Sequence, residues 1–218
     1  MLFFLLMTIV TSTLLIGCTE SKNLNNQPTT DFEVELSLKE KKLRVIDKLI
    51  ESKLAFKDGE YIKGEIPEAE YGFISYDDKE SLISAKEKGS DINVIYSSTN
   101  SFSYIYIKEN LEVELEGLLI NIDAFEELEI MGAKELFEIL NSRTDYKQDG
   151  TYKIGSDIPS GEYTVRKTEV GSSGNGYFEL HIGPEYNSEY VDSQEFDETV
   201  ITLIDGHYIM IHEAIILQ

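Results

Sequence analysis

Acid–base or metal chemistry in this 218-residue chain would have to come from three histidines, one cysteine and 41 carboxylates. His207 and His212 are five residues apart on an expected strand, which puts them on opposite faces and keeps them from sharing one ion. His181 lies on a different expected strand, two residues before Gly183. None of the three belongs to a ligand-spacing motif, so local partners within a sheet are expected, with no metal site and no cofactor. Asp145 and the Asp149-Gly150 pair put oxygen atoms near a turn but lack the spacing of a calcium loop. The acidic stretch 185–198 reads as a solvated loop. Gly171 to Gly176 has no following lysine and no helix to cradle a phosphate, and Asn175 breaks the Gly-x-Ser-x-Gly pattern. It reads as a hairpin loop. No nucleophile has an identifiable base, so no catalytic residue is expected and the chain is read as a non-enzyme.

Binding chemistry has better candidates. The chain holds 13 tyrosines. Tyr104 and Tyr106 share a strand face, and Tyr186 and Tyr190 lie in the acidic stretch before the last strands. Tyrosine offers large amphipathic contact area at low entropic cost. The competing reading is that tyrosine simply favours half-buried strand positions.

The formal charge of −22 excludes a nucleic-acid partner, which needs a basic footprint. A single cysteine excludes a disulfide framework. Its position is informative. Residues 1–17 carry no charged side chain and are too short for a comfortable membrane span, as expected of an export signal. The run ends in Leu15-Ile16-Gly17-Cys18, which resembles the lipobox of bacterial lipoproteins. The resemblance implies cleavage before Cys18 and acylation of that residue, hence anchoring at the extracytoplasmic face of a bacterial cell membrane. Two acyl chains are what stable anchoring takes. Residues 18–34 then hold the lipidated cysteine and a polar, flexible tether.

Past the tether the sequence repeats itself. Asp58-Gly59-Glu60-Tyr61-Ile62-Lys63-Gly64-Glu65-Ile66-Pro67 with Tyr71 aligns with Asp149-Gly150-Thr151-Tyr152-Lys153-Ile154-Gly155-Ser156-Asp157-Ile158-Pro159 with Tyr163. Asp-Gly suggests a turn before a short strand, and Ile158-Pro159-Ser160-Gly161 suits a type I turn. Ser103 to Ile120 parallels Thr199 to Ile216, with Glu109-Asn110 and Asp205-Gly206 as hairpin signals at matching places. A helix is expected before each copy. The first is opened by a Ser37-x-x-Glu40 capping box, and the second spans 133–142. A further short helix is expected within 78–88. The fold class expected is α+β, mainly β: two tandem modules over 35–125 and 126–218, each a helix followed by a small antiparallel sheet or sandwich.

The second copy, Gly150 to Tyr163 with Ile201 to Ile209, resembles an uncharacterised surface β module recurrent in lipoproteins of Gram-positive bacteria. That resemblance implies an extracellular, non-catalytic module and adds no active site. The expected function is therefore a membrane-anchored binding or interaction protein for a protein, peptide or cell-wall ligand. The alternatives are a structural or stress-related envelope protein without a specific ligand, and a hydrolase whose site is assembled only in three dimensions. Residues 38–53 hold six basic and three acidic side chains, a charge that would suit either an anionic bilayer or the protein's own acidic sheets.

Overall fold

Ser37 opens the first element through the capping box that its spacing to Glu40 predicts. Its hydroxyl accepts from the Glu40 N–H at 3.3 Å, and its own N–H donates to Glu40 Oε2 at 2.8 Å. The computed structural model describes residues 36–77, 79–143, 149–168, 176–184 and 188–217. Residues 1–17, Cys18, the tether, Tyr186 and 171–175 of the glycine-rich stretch lie outside the described residues. Residues 36–218 form one unit.

Helix α1 (Leu38–Glu51) is followed by β1 (Ala55–Tyr61), β2 (Ala69–Ile74), β3 (Ser81–Glu87), β4 (Asn93–Thr99), β5 (Phe102–Ile107) and β6 (Leu111–Asn121). These six strands form one antiparallel sheet in the order β4-β3-β6-β2-β5, with β1 on the other edge of β6. Helix α2 (Ala133–Asn141) follows. Then come β7 (Gly150–Lys153), β8 (Gly161–Lys167), β9 (Gly176–His181), β10 (Tyr190–Phe196), β11 (Glu198–Leu203), β12 (Tyr208–His212) and β13 (Ala214–Leu217). They make two sheets, β10-β9-β12-β7 and β11-β8-β13.

The repeat survives as a pairing scheme. Each pairing of the first half (β1·β6, β3·β6, β3·β4, β2·β6, β2·β5) recurs as β7·β12, β9·β12, β9·β10, β8·β13 and β8·β11. The difference is one break. Strand β6 runs through Gly117 at φ 135°, whereas β12 and β13 are parted at its counterpart Glu213, at φ 49°. Both positions need the left-handed side of backbone space, which glycine tolerates and glutamate resists. The repeated aspartate holds each kink: Asp58 Oδ1 accepts from the Gly117 N–H at 2.6 Å, and Asp149 Oδ1 accepts from the Glu213 N–H at 2.7 Å. The repeated tyrosine ties down each Ile-Pro turn. Tyr71 donates to the Pro67 carbonyl at 2.8 Å and Tyr163 to the Pro159 carbonyl at 3.0 Å. Tyr71→Phe and Tyr163→Phe should each lower stability by about 1 kcal/mol, and the double variant by about 2 kcal/mol. Urea unfolding of the three variants checks this.

The tandem helix-plus-sheet modules expected from sequence do not form. The chain is mainly β, with two α-helices among thirteen strands in the described residues. Helix α2 does not lead a sheet of its own; it packs on β2 and β5 of the first sheet and against α1. One apolar cluster joins Ile46 and Leu49 of α1, Phe137 and Leu140 of α2, Ile74, Phe102 and Leu118 of the first sheet, and Tyr152, Phe178 and Ile209 of the second half. A second cluster, with Phe73, Ile83, Leu115 and Leu119, lies on the other face of the first sheet. That sheet is therefore buried on both faces, which the unbroken run Leu118-Leu119-Ile120 reflects. A nine-residue helix has one stripe to bury, and Leu136, Phe137 and Leu140 bury it in the cluster that includes Ile74 and Phe102 of the first sheet.

Smaller expectations also change. Strands β5 and β6 are not a hairpin, because β2 lies between them, and β8 likewise separates β11 from β13. The Asp58-Gly59 pair is a bulge within β1. Residues 81–87 are strand β3, with β9 as its counterpart, instead of a helix. Tyr190 begins strand β10, so the stretch read as acidic loop is partly sheet. Of the basic residues of α1, Lys42 is buried, donating to the Leu128 carbonyl and facing Glu129 Oε2 at 3.7 Å, and Lys39 meets Asp77 at 3.7 Å. Lys41, Arg44 and Lys48 of the same helix are exposed.

Candidate functional site

The seam between the two halves gathers most of the polar chemistry. Asp157 stands in the tight turn between β7 and β8. Its carboxylate accepts from the Lys153 N–H at 2.9 Å, the Tyr104 hydroxyl at 2.6 Å and the Lys134 N–H at 3.0 Å. Tyr104 in turn accepts from the Ala133 N–H at 2.9 Å. Gly132 supplies no capping side chain for α2, so Asp157 and Tyr104, from two other elements, satisfy the orphan donors of its first turn. Burial pushes the Asp157 carboxyl above its ordinary value, against the pull of these donors. Burial and the Asp157 charge together hold the Tyr104 hydroxyl well above the ordinary tyrosine range.

Beside this node Lys153 reaches across to β2. Its ammonium lies 2.9 Å from both carboxylate oxygens of Glu70, which also accepts from the Tyr208 hydroxyl at 2.7 Å. The same ammonium stands 5.9 Å from the ring centre of Tyr104 and 5.4 Å from that of Tyr208. Those two rings meet edge to face at 5.6 Å.

Outside the two rings opens a groove of about 390 Å³. One wall is β4 and β5, with Val94, Tyr96, Tyr104 and Tyr106; the other is β9 and β12, with Glu179, His181, Tyr208 and Met210. It continues past Ser97, Ser103 and Thr151 into a more polar cleft of about 690 Å³ bordered by Thr99, Asn100 and His212. The halves are joined at this point by Ser101 Oγ donating to the Asp149 carbonyl at 2.7 Å and Ser103 Oγ donating to Thr151 Oγ1 at 3.2 Å.

No protein-family model and no curated protein matches the chain. The functional reading therefore rests on this groove and on the residues of the sequence.

Of the tyrosines singled out from sequence, Tyr104 and Tyr106 both line the groove, with Tyr104 buried and Tyr106 half-buried. Tyr106 donates to Glu68 Oε1 at 2.9 Å. Tyr190 stands edge-on to His181 at 5.7 Å, one step behind the wall. Tyr186 lies outside the described residues, as does Cys18. His181 Nε2 is 3.1 Å from Glu179 Oε2, and Tyr177 donates to Glu179 Oε1 at 2.5 Å. Burial pushes Glu179 up, but these two partners prevail and hold it below the usual carboxylate range. His212 Nδ1 lies 3.5 Å from Asp149 Oδ2. Among the described residues no group of three or more His, Cys, Asp or Glu side chains is arranged to hold a metal ion, and no helix is long and apolar enough to cross a membrane.

Sequence reasoning passed over Tyr208, Tyr96, Lys153 and Asp157. Asp157 carried a usable signal: its aligned partner is Glu65, whose Oε2 accepts from the Ile62 N–H at 2.9 Å, as Asp157 accepts from that of Lys153. An acid at that place in both copies marks a side chain that holds the turn.

Proposed function

We propose that the chain is a lipid-anchored protein of the extracytoplasmic face of a bacterial membrane, acylated at Cys18. Its inter-half groove binds a protein, peptide or cell-wall ligand without transforming it. The observation that carries this reading is the tyrosine-lined groove itself. Concave, largely apolar sites with a few polar groups are where ligands bind. In and beside it Lys153 pairs with Glu70 and His181 with Glu179, which holds the two walls in place.

Saturation binding of labelled full-length chain to isolated bacterial envelopes tests the reading. Tyr96→Ala with Tyr106→Ala should weaken binding about tenfold or more, the loss expected when two aromatic anchors are removed. Unchanged binding by a folded double variant removes the groove as the site, and no binding by the native chain favours the purely structural envelope protein. Mass spectrometry of the membrane fraction tests the anchor separately: an unmodified peptide running from Met1 to Cys18 refutes it.

A further inference from the structure

The wall of the groove formed by β4 differs from every other strand edge described. Beyond β3, the outer edge of β4 pairs with no described strand. Its seven residues, Asn93-Val94-Ile95-Tyr96-Ser97-Ser98-Thr99, include no charge and no proline. Val94 and Tyr96 are 42% and 61% exposed, and Ile92 just before them is 75% exposed. Exposed edges are ordinarily guarded by charge, proline, brevity or cover, because their outward N–H and C=O groups template another strand. The other edges have such guards. Strand β10, the counterpart of β4 in the second half, exposes Asp192 and Glu195, and β11 opens on Glu198. Strands β7 and β13 are four residues long. Strand β1 carries Lys57, Asp58 and Glu60, and the edge of β5 is joined to the second half through Ser101 and Ser103.

The unguarded edge and the groove coincide. Val94, Ile95, Tyr96 and Ser97 all border the groove, so a strand laid along β4 would send alternate side chains toward Tyr106, Tyr208 and His181. At about 3.3 Å per residue the edge runs for roughly 23 Å, enough for six or seven ligand residues. The polar cleft beyond Thr99 lets the chain continue past the end of the strand. Charge selects the occupant. The groove is bordered by Glu87 and Glu179 against Lys108, with His181 beside Glu179, in a chain of net charge −22, which draws a basic segment and repels an acidic one.

We propose that β4 takes up an extended, basic peptide segment as an added strand. Main-chain hydrogen bonds to the β4 edge give affinity, and apolar side chains in the groove give selectivity, the mode known as β-augmentation. This deepens the binding reading above and depends on it.

The test selects from a random dodecapeptide library with the full-length chain in detergent, then measures anisotropy with the enriched peptides as synthetic probes. Enriched sequences should carry excess Lys and Arg, with apolar residues at alternate positions. N-methylation of alternate residues removes donors from one edge of the peptide while leaving every side chain in place. One methylation register should weaken binding at least tenfold, and the other should leave it within about twofold. Val94→Lys with Tyr96→Lys, which puts charge on the β4 edge, should weaken binding at least tenfold. Equal loss or equal retention in the two registers overturns strand addition, as does indifference to the lysine variant, while leaving a side-chain-only groove ligand intact. Failure to enrich any peptide, with wall polysaccharide bound instead, overturns the peptide proposal and keeps the binding reading. Failure to bind either overturns both.

Discussion

Replacing Asp157 with alanine should destabilise the protein by about 4 kcal/mol, measured as a shift of the urea or guanidinium midpoint. The carboxylate holds three donors from three places in the fold: the Lys153 N–H, the Tyr104 hydroxyl and the Lys134 N–H. Each buried donor left without a partner costs about 1–3 kcal/mol, and relief of the charge's own desolvation offsets part of that sum. Asp157→Asn keeps one acceptor oxygen and desolvates no charge, so it should cost about 2 kcal/mol. Gly132→Ala reaches the same node from the other side. A Cβ there would fall 2.0 Å from Asp157 Oδ1 and 3.0 Å from the Tyr104 hydroxyl, so it should cost about as much as the alanine at 157. The pH dependence has a definite sign. Because burial raises the Asp157 carboxyl in the folded state, its linked contribution is fully present below the unfolded value near 3.9 and fades as pH rises through the folded value. Asp157→Ala should therefore lose more stability, relative to the native chain, in mild acid than at neutrality. A penalty that is flat, or that grows toward neutral pH, would contradict burial as the dominant cause.

The Asp157 node shows how far the amino-acid sequence could be read. The repeat was visible because each copy solves the same local problems with the same residues. An aspartate pins a kink, a glycine turns the chain, and a tyrosine closes on a proline carbonyl. The capping box of α1 was visible for the same reason, since two side chains three positions apart, Ser37 and Glu40, suffice to make it. Pairing order was not visible. Glu109-Asn110 and Asp205-Gly206 do reverse the chain, but a reversal fixes only where the strand goes next. The strand it lies beside is decided by which apolar faces meet, and that is a property of the whole sheet. Helix α2 illustrates the same limit. Leu136, Phe137 and Leu140 announce an amphipathic helix, while the surface it covers belongs to β2 and β5, some thirty to sixty residues earlier. The groove was half legible. Tyr104 and Tyr106 alternate on one strand and can be found by spacing. Tyr208 and His181 join them only because β12 and β9 pair and face β5 across the seam.

That seam carries the second large effect. Glu70→Ala should destabilise the protein by about 3 kcal/mol, since it leaves the Lys153 ammonium and the Tyr208 hydroxyl partly buried without their common acceptor. The pair is more sheltered than a surface bridge, with side-chain exposures of 14% for Glu70 and 21% for Lys153. Lys153→Met alone should cost about 2 kcal/mol, because the carboxylate keeps Tyr208. Glu70→Leu with Lys153→Met removes both charges while keeping bulk, and should recover part of the loss, leaving about 1–2 kcal/mol for the Tyr208 hydroxyl that loses its acceptor. These variants test more than one contact, because Glu70 belongs to the first sheet and Lys153 to the second half. With one apolar cluster running through both helices and both halves, each variant should unfold in a single transition, with far-ultraviolet circular dichroism and tyrosine fluorescence superimposing. Two separable transitions in Glu70→Ala, one for each half, would mean that the halves hold their structure independently. The seam would then be a contact between finished modules and not part of a shared core.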